Sequence, residues 1–123
     1  MMACARICGG ESTTKLLYAC SGAANTGYLA DAIARKLNKD VAGDMTCLAA
    51  VGADLSGFIE SAKAADKNIV LDGCPVACGK KIFEAKGLPF VHFVTTDFGV
   101  EKKKTEITKE VIDRAASEIC QRI

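Results

Sequence analysis

The sequence predicts a three-layer α/β fold, in which helices cover both faces of a mainly parallel sheet of four strands. Short apolar runs typical of buried strands alternate four times with amphipathic helical segments, and the loops between them are short. Regular strand–helix alternation makes successive strands parallel, because each helix crosses over the sheet before the next strand begins. The expected strand order is 2-1-3-4, the usual start of a doubly wound sheet.

The first half of the chain contains two strand–helix units. Lys15–Cys20 is a short apolar run that predicts a buried strand, and Asn25 is a favourable N-cap for the helix after it. In the second unit, a strand over Asp44–Leu48 is followed by a loop at Gly52. The apolar residues of Leu55–Ala62 then recur at helical spacing and predict an amphipathic helix.

The second half repeats this alternation. Ile69–Asp72 is β-branched and apolar, which predicts a buried third strand. Pro75 suits the first turn of the next helix, and Gly87 suits the position just after its end. Phe90–Thr95 predicts the fourth strand, and Thr108 is expected to cap the last helix.

Size, charge and hydropathy indicate one ordinary globular domain. The chain has 123 residues, half of them hydrophobic and a quarter charged. Residues 1–14 are predicted to form an irregular tail that contains cysteines, and residues 15–123 a single α/β domain. No apolar stretch reaches the ~20 residues that span a bilayer, and the first residues lack the core of a signal peptide. A cytosolic protein without membrane partners is therefore expected.

Nucleic acid is not an expected partner. The formal net charge is +1, and the basic run Lys102–Lys104 lies between Glu101 and Glu106, as in a solvated turn. The chain has no Trp and few other aromatic residues, so a base-stacking platform is not expected.

The chemistry of the sequence lies in its seven cysteines. Cys20 ends the first predicted strand, and Cys47 lies at or near the end of the second. Cys74 follows the third strand, and Cys78 lies in the first turn of the next helix. The carboxyl ends of parallel strands share one edge, where open α/β sheets bind ligands. Strands are ~4.8 Å apart, and the predicted order would place the first strand between the second and third, so the four sulfurs are expected to converge.

A cysteine cluster at this edge favours metal binding. A thiolate binds metals, and a helix N-terminus or nearby cations such as Lys80 and Lys81 lower the pKa of a thiol. Four sulfurs in a tetrahedral array suit zinc, whereas four cysteines also hold iron–sulfur clusters. A further alternative is an enzyme that uses Cys20 as a nucleophile, for thiol transfer or a metal-assisted reaction.

Motifs around these cysteines resemble a known family. They are Ala19-Cys20-Ser21-Gly22-Ala23 with Asn25 and Gly27, Cys47-Leu48-Ala49 with Val51-Gly52-Ala53, Asp72-Gly73-Cys74-Pro75 with Cys78, Lys80 and Lys81, and Thr96-Asp97-Phe98-Gly99-Val100-Glu101-Lys102. Between Leu16 and Lys104 the chain thus resembles the DGC-domain family, named for its Asp-Gly-Cys motif and described as zinc-binding. The resemblance implies four shared ligands, Cys20, Cys47, Cys74 and Cys78, the same quartet that the strand ends indicate.

Other polar residues near this edge are candidates to support the site. Asp72 and Asp97 fall near strand ends, where they would orient backbone amides or groups around the metal ligands, or simply cap loops. Ser21 to Asn25 form a candidate anion nest at a helix N-terminus, with simple helix capping as the alternative. His92, the only histidine, lies in mid-strand and is expected to be satisfied there, away from the crevice.

The remaining three cysteines are expected to stay outside the site. Cys120 lies on an apolar helix face and is expected to be a buried structural thiol, because free cysteine packs as a small hydrophobic residue. Cys4 and Cys8 repeat the spacing of Cys74 and Cys78. A tail pair without other local ligands is nevertheless expected to form no stable site.

Overall fold

The computed structural model describes residues 13–40 and 42–123, and it confirms the predicted four-stranded parallel sheet. The strands are β1 (Lys15–Ala19), β2 (Asp44–Met45), β3 (Lys67–Asp72) and β4 (Val91–Val94). They lie in the order β2-β1-β3-β4, and each neighbouring pair is parallel. The predicted strand order and the three-layer α/β class are both confirmed.

Helices cover both faces of this sheet. In the described part of the chain they are α1 (Asn25–Lys39), α2 (Leu48–Gly52), α3 (Ser56–Ala64), α4 (Cys78–Lys86) and α5 (Lys109–Cys120), and a 3-10 helix, Thr95–Phe98, follows β4. Successive strand residues point to opposite faces. Leu17 and Leu71 accordingly pack with α1 and α5, whereas Tyr18 and Val70 pack with α2, α3 and α4. Each face therefore has its own apolar core.

The second strand–helix unit differs from its prediction. β2 ends at Met45, and Cys47 is the residue before α2, which replaces the predicted loop at Gly52. Residues 48–52 form a helix that buries three of its five side chains, Leu48, Ala50 and Val51. Helix α3 forms, but its predicted apolar face is only partly covered. Leu55 and Phe58 are exposed, whereas Ile59 packs against the core and Ala62 is buried.

The start of α4 also differs from its prediction. Pro75 belongs to a turn in which the N–H of Ala77 donates to the carbonyl of Cys74 (3.0 Å), and the helix begins only at Cys78. The end of α4 is as predicted, because Gly87 adopts the left-handed conformation there (φ 68°).

Other local predictions have mixed outcomes. The N-cap of α1 is Ala24, and Asn25 is already helical, so the prediction that Asn25 caps this helix is wrong. Thr108 caps α5 as predicted, by accepting a hydrogen bond from Val111 N at 3.3 Å. Cys120 is buried as predicted, but it is not the free thiol that the sequence predicted. Cys4 and Cys8 lie outside the described residues.

None of the helices within the described ranges is both long enough and apolar enough to cross a membrane.

Candidate metal centre

The structure brings the four predicted ligands to the carboxyl edge of the sheet. Cys20 directly follows β1, and its N–H still donates to the carbonyl of Leu71 at 3.0 Å. Cys47 precedes α2, Cys74 begins the turn after β3, and Cys78 is the first residue of α4. All four cysteines are free. Cys47 and Cys78 are exposed, and Cys20 and Cys74 are half-buried.

Three of these cysteines line one open pocket of about 370 Å³, namely Cys20, Cys47 and Cys78. The rest of its wall is mainly apolar and includes Met45 and Ile82. Cys74 is not part of that wall. It is nevertheless close enough to Cys20 that the charges of Cys74 and Cys78 both oppose the ionisation of Cys20.

The sulfurs do not converge as closely as the sequence predicts. Among residues 13–40 and 42–123, no group of three or more Cys, His, Asp or Glu side chains is arranged so that it could hold a metal ion. The donor chemistry fits a thiophilic ion, because four free thiols share one edge. A tetrahedral site would require the side chains to move closer together.

Cys20 has an environment that disfavours its thiolate. Burial raises its pKa above the ordinary value, and the neighbouring charge of Asp72 acts in the same direction. A hydrogen bond from the N–H of Gly73 to Cys20 Sγ (3.1 Å) partly opposes this rise in pKa. The fold by itself therefore does not activate Cys20 as a nucleophile, whereas a bound cation would favour its thiolate.

Asp72, the last residue of β3, caps the helix that carries Cys78. Its carboxylate is 1% exposed, and it accepts hydrogen bonds from the N–H groups of Gly79 (2.8 Å) and Lys80 (3.1 Å). A carboxylate stabilises a helix N-terminus by satisfying unpaired N–H groups and by complementing the helix dipole. The first residue of the Asp-Gly-Cys motif thus fixes where α4 begins.

His92 contacts the same carboxylate. Its Nε2 lies 2.7 Å from Asp72 Oδ2. Because an ionised carboxylate only accepts hydrogen bonds, Nε2 carries the proton and donates it. His92 is therefore satisfied, as predicted. Its partner is the motif aspartate at the sheet edge, a contact that the sequence did not predict.

The loop after β3 packs against the first turn of α1. A Cβ atom on Gly73 would lie 2.7 Å from the nitrogen of Gly27, so only glycine fits there without a shift. The hydroxyl of Thr95 has one proton, which it shares between the carbonyls of Gly73 (2.9 Å) and Thr26 (3.3 Å). This contact ties the loop, α1 and the 3-10 helix together. Thr95 was also missed, because its partners are remote in the sequence.

Two residues beside the cysteines have left-handed backbones. Ser21 follows Cys20 with φ 43°, and Ala77 precedes Cys78 with φ 55°. Such conformations cost non-glycine residues about 1–3 kcal/mol each and concentrate at functional sites. The hydroxyl of Ser21 donates to Asp31 Oδ1 at 3.1 Å.

Asn25 fixes the loop that follows the 3-10 helix. Its side chain donates to the carbonyls of Glu101 (3.1 Å) and Thr105 (2.8 Å) and accepts from the N–H of Lys103 (2.7 Å). From this loop, Lys102 Nζ approaches Cys74 Sγ at 3.7 Å. Lys102 is therefore a cation near the site, although the charge pattern around it predicts a solvated turn.

Asp97 lies apart from these interactions. It is exposed in the 3-10 helix, and it takes no part in the hydrogen bonds that the described residues form around Asp72.

Comparison with known proteins agrees with the motif resemblance. The family model of the DGC domain matches residues 16–119. The Anaerobic and virulence modulator AnvM of Pseudomonas aeruginosa is 33% identical over 92 residues, which cover 74% of this chain and 70% of that protein. No solved structure matches significantly. The chain therefore belongs to the DGC-domain family.

Proposed function

We propose that this protein binds one zinc ion through the thiolates of Cys20, Cys47, Cys74 and Cys78. The observation that carries the proposal is the pocket lined by three of these free cysteines. The fourth, Cys74, directly follows Gly73, whose N–H donates to Cys20 Sγ at 3.1 Å. Zinc takes four sulfur ligands in tetrahedral geometry, and thiolates suit it well.

Binding requires the cysteine side chains to move together. Zinc–sulfur bonds are about 2.3 Å long, and the described side chains do not form such a group as they stand. The N–H of Gly73 holds Cys20 in place, whereas Cys47 and Cys78 are exposed. We expect these two exposed side chains to turn toward Cys20 and the turn of Cys74 to close over the ion.

A bound zinc ion would stabilise the thiolate forms of its four ligands. Metal binding therefore releases thiol protons, and the apparent affinity falls as the pH is lowered. Burial raises the pKa of Cys20, so this dependence on pH extends to higher pH, because that thiol must also lose its proton when it binds the ion.

The two alternatives make different demands on the same cysteines. A nucleophilic Cys20 would need a lowered pKa, and its surroundings raise that pKa instead. An iron–sulfur cluster would use the same thiolates, and its brown colour distinguishes it from colourless zinc. The relative AnvM is named a modulator, and we propose by analogy that metal binding here serves a modulatory role.

Metal analysis of anaerobically purified protein tests the proposal. We expect one zinc per chain and no visible absorption. Single replacements of Cys20, Cys47, Cys74 and Cys78 by Ser should each lower the zinc content sharply. Met45→Leu is the matched control, because Met45 lines the same pocket without offering a thiol, and its zinc content should not change. Full zinc content in all four Ser variants would refute the site. Detection of iron and sulfide in place of zinc would show that the cysteines hold an iron–sulfur cluster.

A further inference from the structure

A buried hydrogen-bonded pair lies directly behind the cysteine edge. The side chain of Asp72 is 1% exposed and that of His92 is 18% exposed. A buried carboxylate is costly unless donors surround it, and the short Nε2–Oδ2 contact of 2.7 Å supplies one of them. The imidazole is itself oriented by an edge-to-face contact with Phe90, with ring centroids 6.3 Å apart.

The same carboxylate holds the first turn of α4. Its Oδ1 accepts from the N–H of Gly79, and its Oδ2 is shared between the N–H of Lys80 and the imidazole of His92. The approach depends on the absence of a side chain at Gly79, where a Cβ atom would lie 3.0 Å from Asp72 Oδ1 and 2.7 Å from Val70 Cγ1. A shift of this carboxylate would therefore be transmitted to the helix.

Asp72 is also linked to three of the four proposed metal ligands. The N–H of the next residue, Gly73, donates to Cys20 Sγ, and Cys74 follows. The side chain of Asp72 accepts a hydrogen bond from the N–H of Gly79, the residue after Cys78. Three of the four cysteines are thus connected to Asp72 through backbone or hydrogen bonds.

We propose that His92 is a positioning residue for the metal site. By donating to Asp72 Oδ2, it keeps that carboxylate in one rotamer, and the carboxylate keeps the start of α4 and Cys78 in place. This inference rests on the proposed zinc site, although the hydrogen bonds themselves exist without metal. Partners that orient ligands from outside the coordination sphere typically change metal affinity by about 10- to 100-fold when removed.

Two replacements separate the hydrogen bond from the packing of the ring. His92→Phe keeps an aromatic ring beside Phe90 and removes the donor, whereas His92→Gln keeps an N–H donor near the position of Nε2. We expect His92→Phe to weaken zinc binding by about tenfold or more, measured by competition with a chromophoric chelator. His92→Gln should restore most of the affinity, and the cobalt-substituted proteins should show the same order in their visible spectra.

Amide hydrogen exchange of the metal-free protein tests whether the hydrogen bond from His92 to Asp72 stabilises the first turn of α4. In His92→Phe the amides of Gly79 and Lys80 should exchange faster, whereas those of α5 should not change. Tyr18→Phe is the control. It removes another buried side-chain hydrogen bond, from Tyr18 to Asn68 Oδ1 (3.0 Å), near the opposite end of β3. It should lower stability without changing zinc affinity or exchange at Gly79 and Lys80.

The outcomes separate this inference from the proposed function. If the wild-type protein binds neither zinc nor cobalt, the proposed function is wrong. Amide hydrogen exchange at Gly79 and Lys80 then still shows whether His92 stabilises the start of α4. If the wild type binds zinc and His92→Phe changes neither affinity nor exchange, the positioning role is wrong. Failure of His92→Gln to restore affinity would also overturn it. If His92→Phe does not fold, His92→Asn replaces it, because its shorter amide cannot reach Asp72.

Discussion

The backbone of Gly73 packs so closely against Gly27 that a Cβ atom on Gly73 would lie 2.7 Å from the Gly27 nitrogen. Gly73 is the middle residue of the Asp-Gly-Cys motif, and Gly27 belongs to the first turn of α1. The contact holds the loop of Cys74 against the helix that follows Cys20. The geometry of the candidate site therefore depends on close backbone packing as well as on the thiols.

Gly73→Ala should destabilise the protein, because the new methyl group would meet backbone atoms that cannot rotate away. Overpacking of this kind costs about 1–3 kcal/mol, measurable as a lower urea midpoint with an unchanged slope. Gly22→Ala is the control in a neighbouring loop, since a Cβ atom there would meet nothing within 4 Å. Equal stability of Gly73→Ala and the wild type would contradict the packing argument.

Removal of the metal should leave the fold largely intact. The sheet has an apolar core on each face, so the protein does not depend on a metal as the smallest zinc modules do. Far-ultraviolet circular dichroism before and after chelation, under reducing conditions, should show little change. The melting temperature should be lower without metal by mass action. Wholesale unfolding on chelation would instead make the metal structural.

Asn25→Ala should loosen the loop at 101–105, because it removes three hydrogen bonds to that backbone. Each such bond contributes about 0.5–1.5 kcal/mol net, and less where it is exposed. Trypsin should cleave faster after Lys102, Lys103 or Lys104, and the amide of Lys103 should exchange faster. Ser61→Ala removes a single exposed hydrogen bond in α3 and should leave both readouts unchanged. Unchanged cleavage in Asn25→Ala would argue against this anchoring role.

Tyr18 should make the protein less stable at high pH. Burial raises its pKa from the usual 10.0 to about 12. Below pH 10 the phenol is protonated in both the folded and unfolded states, so its stabilising contribution is fully present. As the pH rises from 10 through 12 the unfolded chain ionises first, and stability falls by about 1.4 kcal/mol for each pKa unit between the two states.

Ultraviolet titration in a Tyr28→Phe background observes Tyr18 alone, since the chain has two tyrosines. The phenol should ionise at about pH 12. Tyr18→Phe should abolish this component of the pH dependence, while lowering stability at neutral pH by the loss of the hydrogen bond to Asn68. Ionisation near pH 10 in the folded protein would contradict the burial argument.

The sequence by itself determined the class of fold, the strand order and the edge on which the cysteines lie. Alternating apolar segments define strands and helices locally, and parallel strands necessarily end on one edge. The sequence alone therefore predicts the edge position of the cysteines that follow the first and third strands, namely Cys20, Cys74 and Cys78. Cys47 was placed less well, because the apolar run after Met45 forms a short helix rather than more strand.

Only the tertiary structure decided which polar side chains support that edge. Asp72 and His92 are 20 residues apart, Gly73 and Thr95 are 22 apart, and Asn25 and Thr105 are 80 apart. No local periodicity relates such partners, because they meet only when different strands and loops pack together. The tertiary structure also decided how far apart the sulfurs stand, since strand spacing brings cysteines to a common edge without setting the directions of their side chains.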